Sequence, residues 1–344
     1  WAKQSPQCRR MSAPQRLDSN TGEATHWARI EERGVYAGLS IMLWTHRLLG
    51  RRVSGLLLYP VIGYFFVVGG AARRASRTFL SRVYAHRDDD FAGPPGWRQS
   101  FRHFLSFGDA LLDKLEAWSG KIGEDDIVYH NREIFDALQQ SGRGGLLIAS
   151  HLGNMEVCRA LGELSLGLKL NVLVHTKHAA NFNRLLRSVS PDSSVSLIQT
   201  TEVDPGTAIM LSDRISQGEF VIIVGDRTPV TRSGRTSWAT FLGYPAPFPQ
   251  GPYILASILD CPVQLIFCLK RARRYHIFFE PFADGIRIHR RDRNTALENW
   301  THRYVRRLEH YCGTDPYQWF NFFDFWRQAE TIPPKDDTNP APKG

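Results

Sequence analysis

The stretch "LLIASHLGNMEVCRAL" (Leu146–Leu161) contains the transition on which the fold depends. Its apolar start belongs to the run "GGLLIAS", which has the length and composition of a buried strand and ends just before His151. From Asn154 onward the apolar residues have the spacing of a helix, and Asn154 stands where a helix cap is expected. The stretch therefore predicts a strand followed by a helix, with a histidine at the carboxyl end of the strand.

The same alternation of strand and helix patterns continues on both sides. Further predicted strands are "DDIVYH", "LKLNVLVHT", "SVSLIQT", "EFVIIVGD", "CPVQLIFCLK" and "RYHIFFEPF". Further predicted helices are "WRQSFRHFLSFGDALLDKLEAWSG", "NREIFDALQQ", "AANFNRLLRSVS", "PGTAIMLSDRISQG", "PYILASILD" after a proline-rich turn, and "NTALENWTHRYVRRLEHYCG". This order predicts an α/β fold with a largely parallel central sheet flanked by helices.

An apolar segment precedes this region. The run from Gly55 to Ala72 holds 18 residues without a charge, and arginine pairs flank it at 51–52 and 73–74. Its length is at the lower limit for a membrane-spanning helix, while the arginine pairs and aromatic residues are typical of a membrane interface. We therefore predict an N-terminal apolar membrane-associated helix, either a short anchor or part of an interfacial helix pair, with a buried core helix or hairpin as the alternative. The predicted organisation is a disordered tail (1–24), a membrane-associated helical region (25–90), an α/β domain (91–328) and a second disordered tail (329–344).

Composition and missing motifs narrow the classes of function. The 344 residues carry a formal net charge of +9, which favours an anionic partner such as a membrane surface, an acidic protein or nucleic acid. The five cysteines form no CxxC pair, which argues against a zinc site or a disulfide framework. No GxSxG, GxxxxGK[ST], GxGxxG or HExxH motif is present, so the sequence signals neither a serine nucleophile elbow, a nucleotide-binding loop nor a zincin.

The histidine at the strand end is the first candidate for catalysis. Glu156 lies in the first turn of the predicted helix, from which we expect its carboxylate to reach back to the imidazole of His151. Such a carboxylate fixes the tautomer and leaves the other ring nitrogen as a base for a hydroxyl or amine that attacks an acyl carbonyl. A backbone N–H near Gly153 or Gly225 is the candidate donor to the oxyanion. The alternative is a structural histidine and a glutamate placed favourably at a helix N-terminus.

A second polar block follows another predicted strand. Asp226 and Arg227 come directly after "EFVIIVG", so we expect them at the same edge of the sheet as His151. The planar guanidinium of Arg227 suits a phosphate or a carboxylate. Arg232 and Arg235 follow in the loop "PVTRSGRTS", which suits either contact with an anion or plain exposure to solvent.

Five segments of the sequence, taken in their order along the chain, resemble the lipid A biosynthesis (lauroyl/myristoyl-type) acyltransferases of Gram-negative bacteria, within the lysophospholipid acyltransferase superfamily. The segments are the apolar N-terminal helix, "SHLGNME", "VGDR", the proline-containing turn and "DPYQWFNFFDFW". They extend over roughly residues 27–326, nearly the whole chain, and the sequence resembles a divergent branch of the family.

The resemblance implies an O-acyltransferase at the cytoplasmic face of the bacterial inner membrane. It implies transfer of a fatty acyl group from a thioester of acyl carrier protein or CoA to a hydroxyl of a glycolipid or other lipid. His151 is implied as the general base and Glu156 as its orienting partner. The expected substrate-binding residues are Asn154, Asp226, Arg227, Arg232 and Arg235. The implied partners are acyl carrier protein, the lipid acceptor and the anionic membrane surface, not nucleic acid, and no metal or cofactor is implied besides the thioester co-substrate. A thioesterase or lipid esterase with the same pair, and a non-catalytic lipid-binding protein, are the alternatives.

Overall fold

A computed structural model of the chain describes residues 33–87, 94–174, 196–199, 204–228 and 235–326. Its helices are α1 (Arg33–Val68), α2 (Gly70–His86), α3 (Trp97–Trp118), α4 (Arg132–Gln140), α5 (Met155–Leu166), α6 (Pro205–Ser216), α7 (Gly251–Leu259) and α8 (Arg293–Thr314). Its strands are β1 (Ile127–His130), β2 (Gly145–Ala149), β3 (Leu170–Val174), β4 (Ser196–Gln199), β5 (Phe220–Val224), β6 (Thr236–Phe241), β7 (Tyr244–Pro249), β8 (Val263–Arg271) and β9 (Arg274–Ala283). The predicted tails at 1–24 and 329–344 and the helix "AANFNRLLRSVS" lie outside the described residues.

The centre of the molecule is a seven-stranded sheet in the order β1-β9-β8-β2-β5-β3-β4. Neighbouring strands run parallel except for the antiparallel pair β8–β9. The predicted α/β fold with a largely parallel sheet is therefore confirmed. All five residues of β2 are buried, because the sheet is covered on both faces and leaves no polar alternation.

Alternate residues of the central strands face two separate cores. Leu146 and Ile148 of β2 belong to one core with residues of α2, α6, α7 and α8. Leu147 and Ala149 belong to the other, with residues of α4 and α5. The two-residue period of a strand thus divides one apolar run between two layers of helices.

The proline-rich stretch before α7 is a hairpin, and its prediction as a turn was wrong. β6 and β7 pair antiparallel through Ala239↔Ala246, and the connecting Leu242 and Gly243 both have positive φ, as a tight hairpin turn requires. Proline lacks an N–H, so a strand tolerates it only where no partner needs that group. The prolines of β7 stand at alternate positions (Pro245, Pro247 and Pro249), which is compatible with a two-stranded ribbon.

The N-terminal apolar segment is bent, which corrects the prediction of one apolar membrane-associated helix. α1 contains a break at Gly50 (φ 71°), and α1 and α2 meet at Gly69 with an angle of 94° between the part of α1 from Val53 and α2. Among the described residues, no helix by itself is long and apolar enough to cross a membrane, and only this bent pair passes that test, by length and composition.

The two N-terminal helices differ in how they pack. Leu58 and Ile62 of α1 are 5% and 6% exposed and contact α3 beside Gly108. Phe79 and Leu80 of α2 are buried in the same core as the central strands. The predicted regions 25–90 and 91–328 therefore share a hydrophobic core through α2.

Candidate functional site

Two neighbouring parallel strands deliver His151, the predicted base, and Asp226, predicted as a substrate-binding residue, to one edge of the sheet, as the sequence predicted. Ala149 at the end of β2 is in register with Val224 at the end of β5. His151 and Asp226 each follow their strand by two residues. Gly225 lies between, and its N–H donates to the Ala149 carbonyl at 2.9 Å.

His151 and Asp226 form a hydrogen-bonded pair. Nδ1 of the imidazole lies 2.7 Å from Oδ1 of Asp226, and the backbone N–H of His151 donates to Oδ2 at 2.8 Å. An ionised carboxylate only accepts hydrogen bonds, so the neutral imidazole carries its proton on Nδ1 and leaves Nε2 as an acceptor. The Asp226 side chain is fully buried, whereas that of His151 is 29% exposed, and no described residue is hydrogen-bonded to Nε2. This is the arrangement of an oriented general base.

The segment after α8 completes the environment of Asp226. The indole Nε1 of Trp319 donates to Oδ2 at 2.9 Å, and Nδ2 of Asn321 donates to the same oxygen at 3.2 Å. The N–H of Phe320 donates to the His151 carbonyl at 3.0 Å. The conspicuous sequence "DPYQWFNFFDFW" thus holds both members of the pair, a role that no local pattern in the sequence indicates.

Charge and burial act together on the two titrating groups. Burial lowers the pKa of His151 below its ordinary value, and the positive charge of Arg227 lowers it further. The negative charge of Asp226 acts in the opposite direction and raises the pKa of His151. Burial alone would raise the pKa of Asp226, but the His151 imidazole and its hydrogen bonds hold that pKa below its usual value. Asp226 is therefore ionised and His151 neutral at pH 7, which are the protonation states that a general base and its orienting carboxylate require.

Glu156 does not orient the imidazole, which corrects the predicted pairing. Its Oε2 accepts from Nε of Arg159 at 3.0 Å and from Nε1 of Trp118 at 3.3 Å. Arg159 lies one helical turn further along α5 on the same face, where it forms an ion pair with the Glu156 carboxylate. Burial opposes ionisation of Glu156, but the charges of Arg159 and Lys114 hold its pKa below the ordinary value.

Asn154 and the two expected oxyanion donors have structural roles. Asn154 precedes α5 without a side-chain capping bond, and its buried Nδ2 donates to the Ala110 carbonyl of α3 at 2.8 Å. The N–H of Gly153 donates to the Gln318 carbonyl at 2.8 Å, and that of Gly225 is bonded to Ala149. The predicted capping contact is thus wrong, and the amides of Gly153 and Gly225 themselves tie the site to its surroundings.

The three arginines of the second polar block have different positions. Nε of Arg227 donates to Oδ1 of Asn321 at 2.9 Å. Burial lowers the pKa of the Arg227 guanidinium to about 10. Arg235 is exposed just before β6, and its carbonyl accepts from the N–H of Gln250 at 3.0 Å. Arg232 lies outside the described residues. Only Arg227 is therefore seen beside the His151–Asp226 pair.

Lys114 of α3 is a cation of the site that the sequence analysis missed. It interacts electrostatically with Glu156, Arg227 and Arg159, and its charge acts on His151. It sits inside an apolar helical pattern more than thirty residues before His151, so only the packing of α3 against α5 indicates it. Within the described ranges, no group of three or more His, Cys, Asp and Glu side chains is arranged to hold a metal ion.

Gly225 holds the two strand ends together, and we expect Gly225→Ala to destabilise the protein. A Cβ there would lie 2.9 Å from Cζ of Tyr304 and 3.0 Å from Cγ2 of Ile148, both in the core. Overpacking of this kind costs about 1–3 kcal/mol in the free energy of unfolding, measurable by denaturant titration. Gly123→Ala is the matched control, because nothing lies within 4 Å of a Cβ there. Equal stability of the two variants would contradict the prediction.

No protein-family model matches the chain, and no curated protein matches it.

Proposed function

We propose that the protein is an acyltransferase that moves a fatty acyl group from a thioester to a hydroxyl of a lipid or glycolipid. The observation that carries this proposal is the His151–Asp226 pair, with Nδ1 held at 2.7 Å by a buried carboxylate and Nε2 left open. A histidine so oriented abstracts the proton of an attacking hydroxyl. The order of sequence blocks that resembles the lipid A acyltransferases supports the same reaction.

The proposed reaction is a direct transfer. The acceptor oxygen attacks the thioester carbonyl while its proton passes to Nε2 of His151. A C–O bond forms, the C–S bond breaks, and the leaving thiolate takes the proton back from the imidazolium. Asp226 stays ionised throughout, because it accepts four hydrogen bonds, from Nδ1 and the N–H of His151, from Trp319 and from Asn321.

We further propose that the protein works on the cytoplasmic face of a bacterial inner membrane, with acyl carrier protein or CoA as the acyl carrier. On α1, Leu56, Tyr64 and Val67 are 72%, 63% and 71% exposed and form an apolar face. Arg74 and Arg77 are exposed on the adjoining α2. An apolar face beside arginines suits an anionic lipid surface, and the net charge of +9 favours an acidic carrier protein as well.

The test is thiol release from acyl carrier protein and CoA thioesters, with the full chain and with bacterial lipid extract added or withheld. We expect release that depends on lipid, with labelled acyl chains recovered in a lipid product. Release at the same rate without lipid, with free fatty acid as the product, would replace the transferase by a thioesterase. Lipid binding without release from either donor would leave a non-catalytic lipid-binding protein.

A further inference from the structure

One stripe of α3 faces the site. The Ala110 carbonyl accepts from Asn154, just after His151, and the Trp118 indole donates to Glu156. Lys114 lies one helical turn after Ala110 and one turn before Trp118, so it belongs to the same stripe. The helix therefore presents the Lys114 ammonium group to the loop that carries His151.

The rotation of α3 is fixed from its other side. The Asp113 side chain is 1% exposed and pairs with Nη2 of Arg51 at 2.6 Å and with Nζ of Lys270 at 2.8 Å. A buried carboxylate between two cations from α1 and β8 does not turn into solvent without a large cost. Because Asp113 is fixed against α1 and β8, α3 does not rotate about its axis, and Lys114 is held toward the site.

The environment of the Lys114 amine is set by burial and by neighbouring charges. Among the described residues this amine has no hydrogen bond and no close ion pair, and its side chain is half-buried. Burial lowers the pKa of Lys114, and the positive charges of Arg227 and Arg159 lower it further. The negative charge of Glu156 raises the pKa and offsets part of this effect. The side chains around His151 include three cations and two carboxylates: Lys114, Arg159 and Arg227, with the ionised Glu156 and Asp226. With His151 neutral, this group carries one positive charge in excess. An anionic group beside His151 would therefore gain stabilisation.

The backbone donors expected to meet such a charge are engaged elsewhere. The N–H of Gly153 is bonded to Gln318 and that of Gly225 to Ala149, at 2.8 and 2.9 Å. The N–H of His151 itself is bonded to Asp226. With these three amides engaged, a side chain is the alternative source of a hydrogen-bond donor.

We propose that Lys114 is a further catalytic residue, whose ammonium group stabilises the oxyanion that forms when the acceptor attacks the acyl carbonyl beside His151. This inference rests on the proposed acyl transfer. As the C–O bond forms and the acceptor proton moves to Nε2, the carbonyl electron pair becomes an alkoxide. The ammonium group donates to that alkoxide until the C–S bond breaks and the carbonyl returns, so Lys114 keeps its own protons.

The first test compares Lys114→Met, Lys114→Arg and Lys121→Met in the thioester assay. Loss of one oxyanion donor lowers kcat by about 10²–10³-fold, so we expect that loss in Lys114→Met with KM within about twofold of wild type. Lys114→Arg keeps the charge and should recover part of the rate. Lys121 is exposed just beyond α3, and its variant should behave as wild type. If Lys114→Met does not fold, Lys114→Gln takes its place.

The second test needs no turnover. Diethyl pyrocarbonate modifies neutral imidazole, and peptide mass spectrometry gives the rate at His151 as a function of pH, with the exposed His302 as internal reference. Lys114 lowers the pKa of His151 through its charge, so Lys114→Met should move the midpoint of the His151 profile to higher pH. Lys114→Arg and Lys121→Met should leave the midpoint in place.

The outcomes separate the two proposals. A folded Lys114→Met protein with wild-type kcat, or with a raised KM alone, would overturn the oxyanion role while leaving the acyltransferase standing. An unmoved His151 profile would overturn the position assigned to the ammonium group. A wild-type protein that turns over no thioester would overturn the proposed function, and with it the oxyanion role, whatever the His151 profile shows.

Discussion

Replacing His151 with alanine is expected to lower kcat by about 10²–10⁴-fold, the usual contribution of a general base. This loss corresponds to roughly 3–5 kcal/mol of transition-state stabilisation. KM for the acyl donor should change little, because the imidazole acts on the proton of the acceptor and not on the carrier. The measurement is steady-state thiol release with lipid acceptor, with His302→Ala on the exposed face of α8 as the matched control.

The His151→Ala variant should fold, which makes its kinetics interpretable. The His151 side chain is 29% exposed, and Asp226 keeps its bonds to the backbone N–H of residue 151, to Trp319 and to Asn321. We expect an unfolding free energy within about 1 kcal/mol of wild type. Near-full turnover in a protein of that stability would exclude His151 as the base.

The general architecture could be predicted from the sequence because its signals are local. The alternation of apolar runs and helical patterns fixed the strand and helix types, and the parallel sheet followed from that order. Placement of His151 and Asp226 at one edge followed too, since carboxyl ends of parallel strands share an edge. The hairpin β6–β7 was missed because prolines, which ordinarily exclude a strand, occupy alternate positions of a two-stranded ribbon.

The identity of the orienting carboxylate depended on a quantity that the sequence does not contain, the register between β2 and β5. Pairing of Ala149 with Val224 sets His151 opposite Asp226, seventy-five residues away in the chain. Glu156 is far closer in sequence, but Arg159 and Trp118 take its carboxylate. Spacing along one chain segment therefore suggested the wrong partner.

The remaining parts of the site come from distant segments. Trp319 and Asn321 reach Asp226 from the segment after α8, and Lys114 reaches the site from α3. Each sits inside an aromatic or apolar pattern that by itself indicates packing. Only their contacts with the His151 loop reveal a polar role, and such contacts require the fold.

Asp226→Asn is expected to lower kcat by about 10⁴-fold, because it would put the imidazole proton on the wrong nitrogen. Three N–H groups, from His151, Trp319 and Asn321, converge on Oδ2. Only the carbonyl oxygen of an asparagine can occupy that position, so its NH₂ group must face Nδ1 of His151. Nδ1 then accepts, the proton moves to Nε2, and the base is lost.

Glu156→Gln is the contrasting variant, since Glu156 was the carboxylate that the sequence suggested. A glutamine oxygen still accepts from Arg159 and Trp118, and neither contact reaches the imidazole. We expect kcat within about tenfold of wild type, with a loss of stability because Arg159 and Lys114 lose a counter-charge.

The two variants together decide which carboxylate serves the base. Thiol release measured across pH, beside unfolding free energies for both proteins, separates a lost base from a weakened fold. A large kcat loss in Asp226→Asn with a small one in Glu156→Gln follows from the hydrogen bonds of the structure. The reverse ranking would mean that His151 changes partner during the reaction, since Asp226 alone is bonded to its Nδ1 in the structure described above.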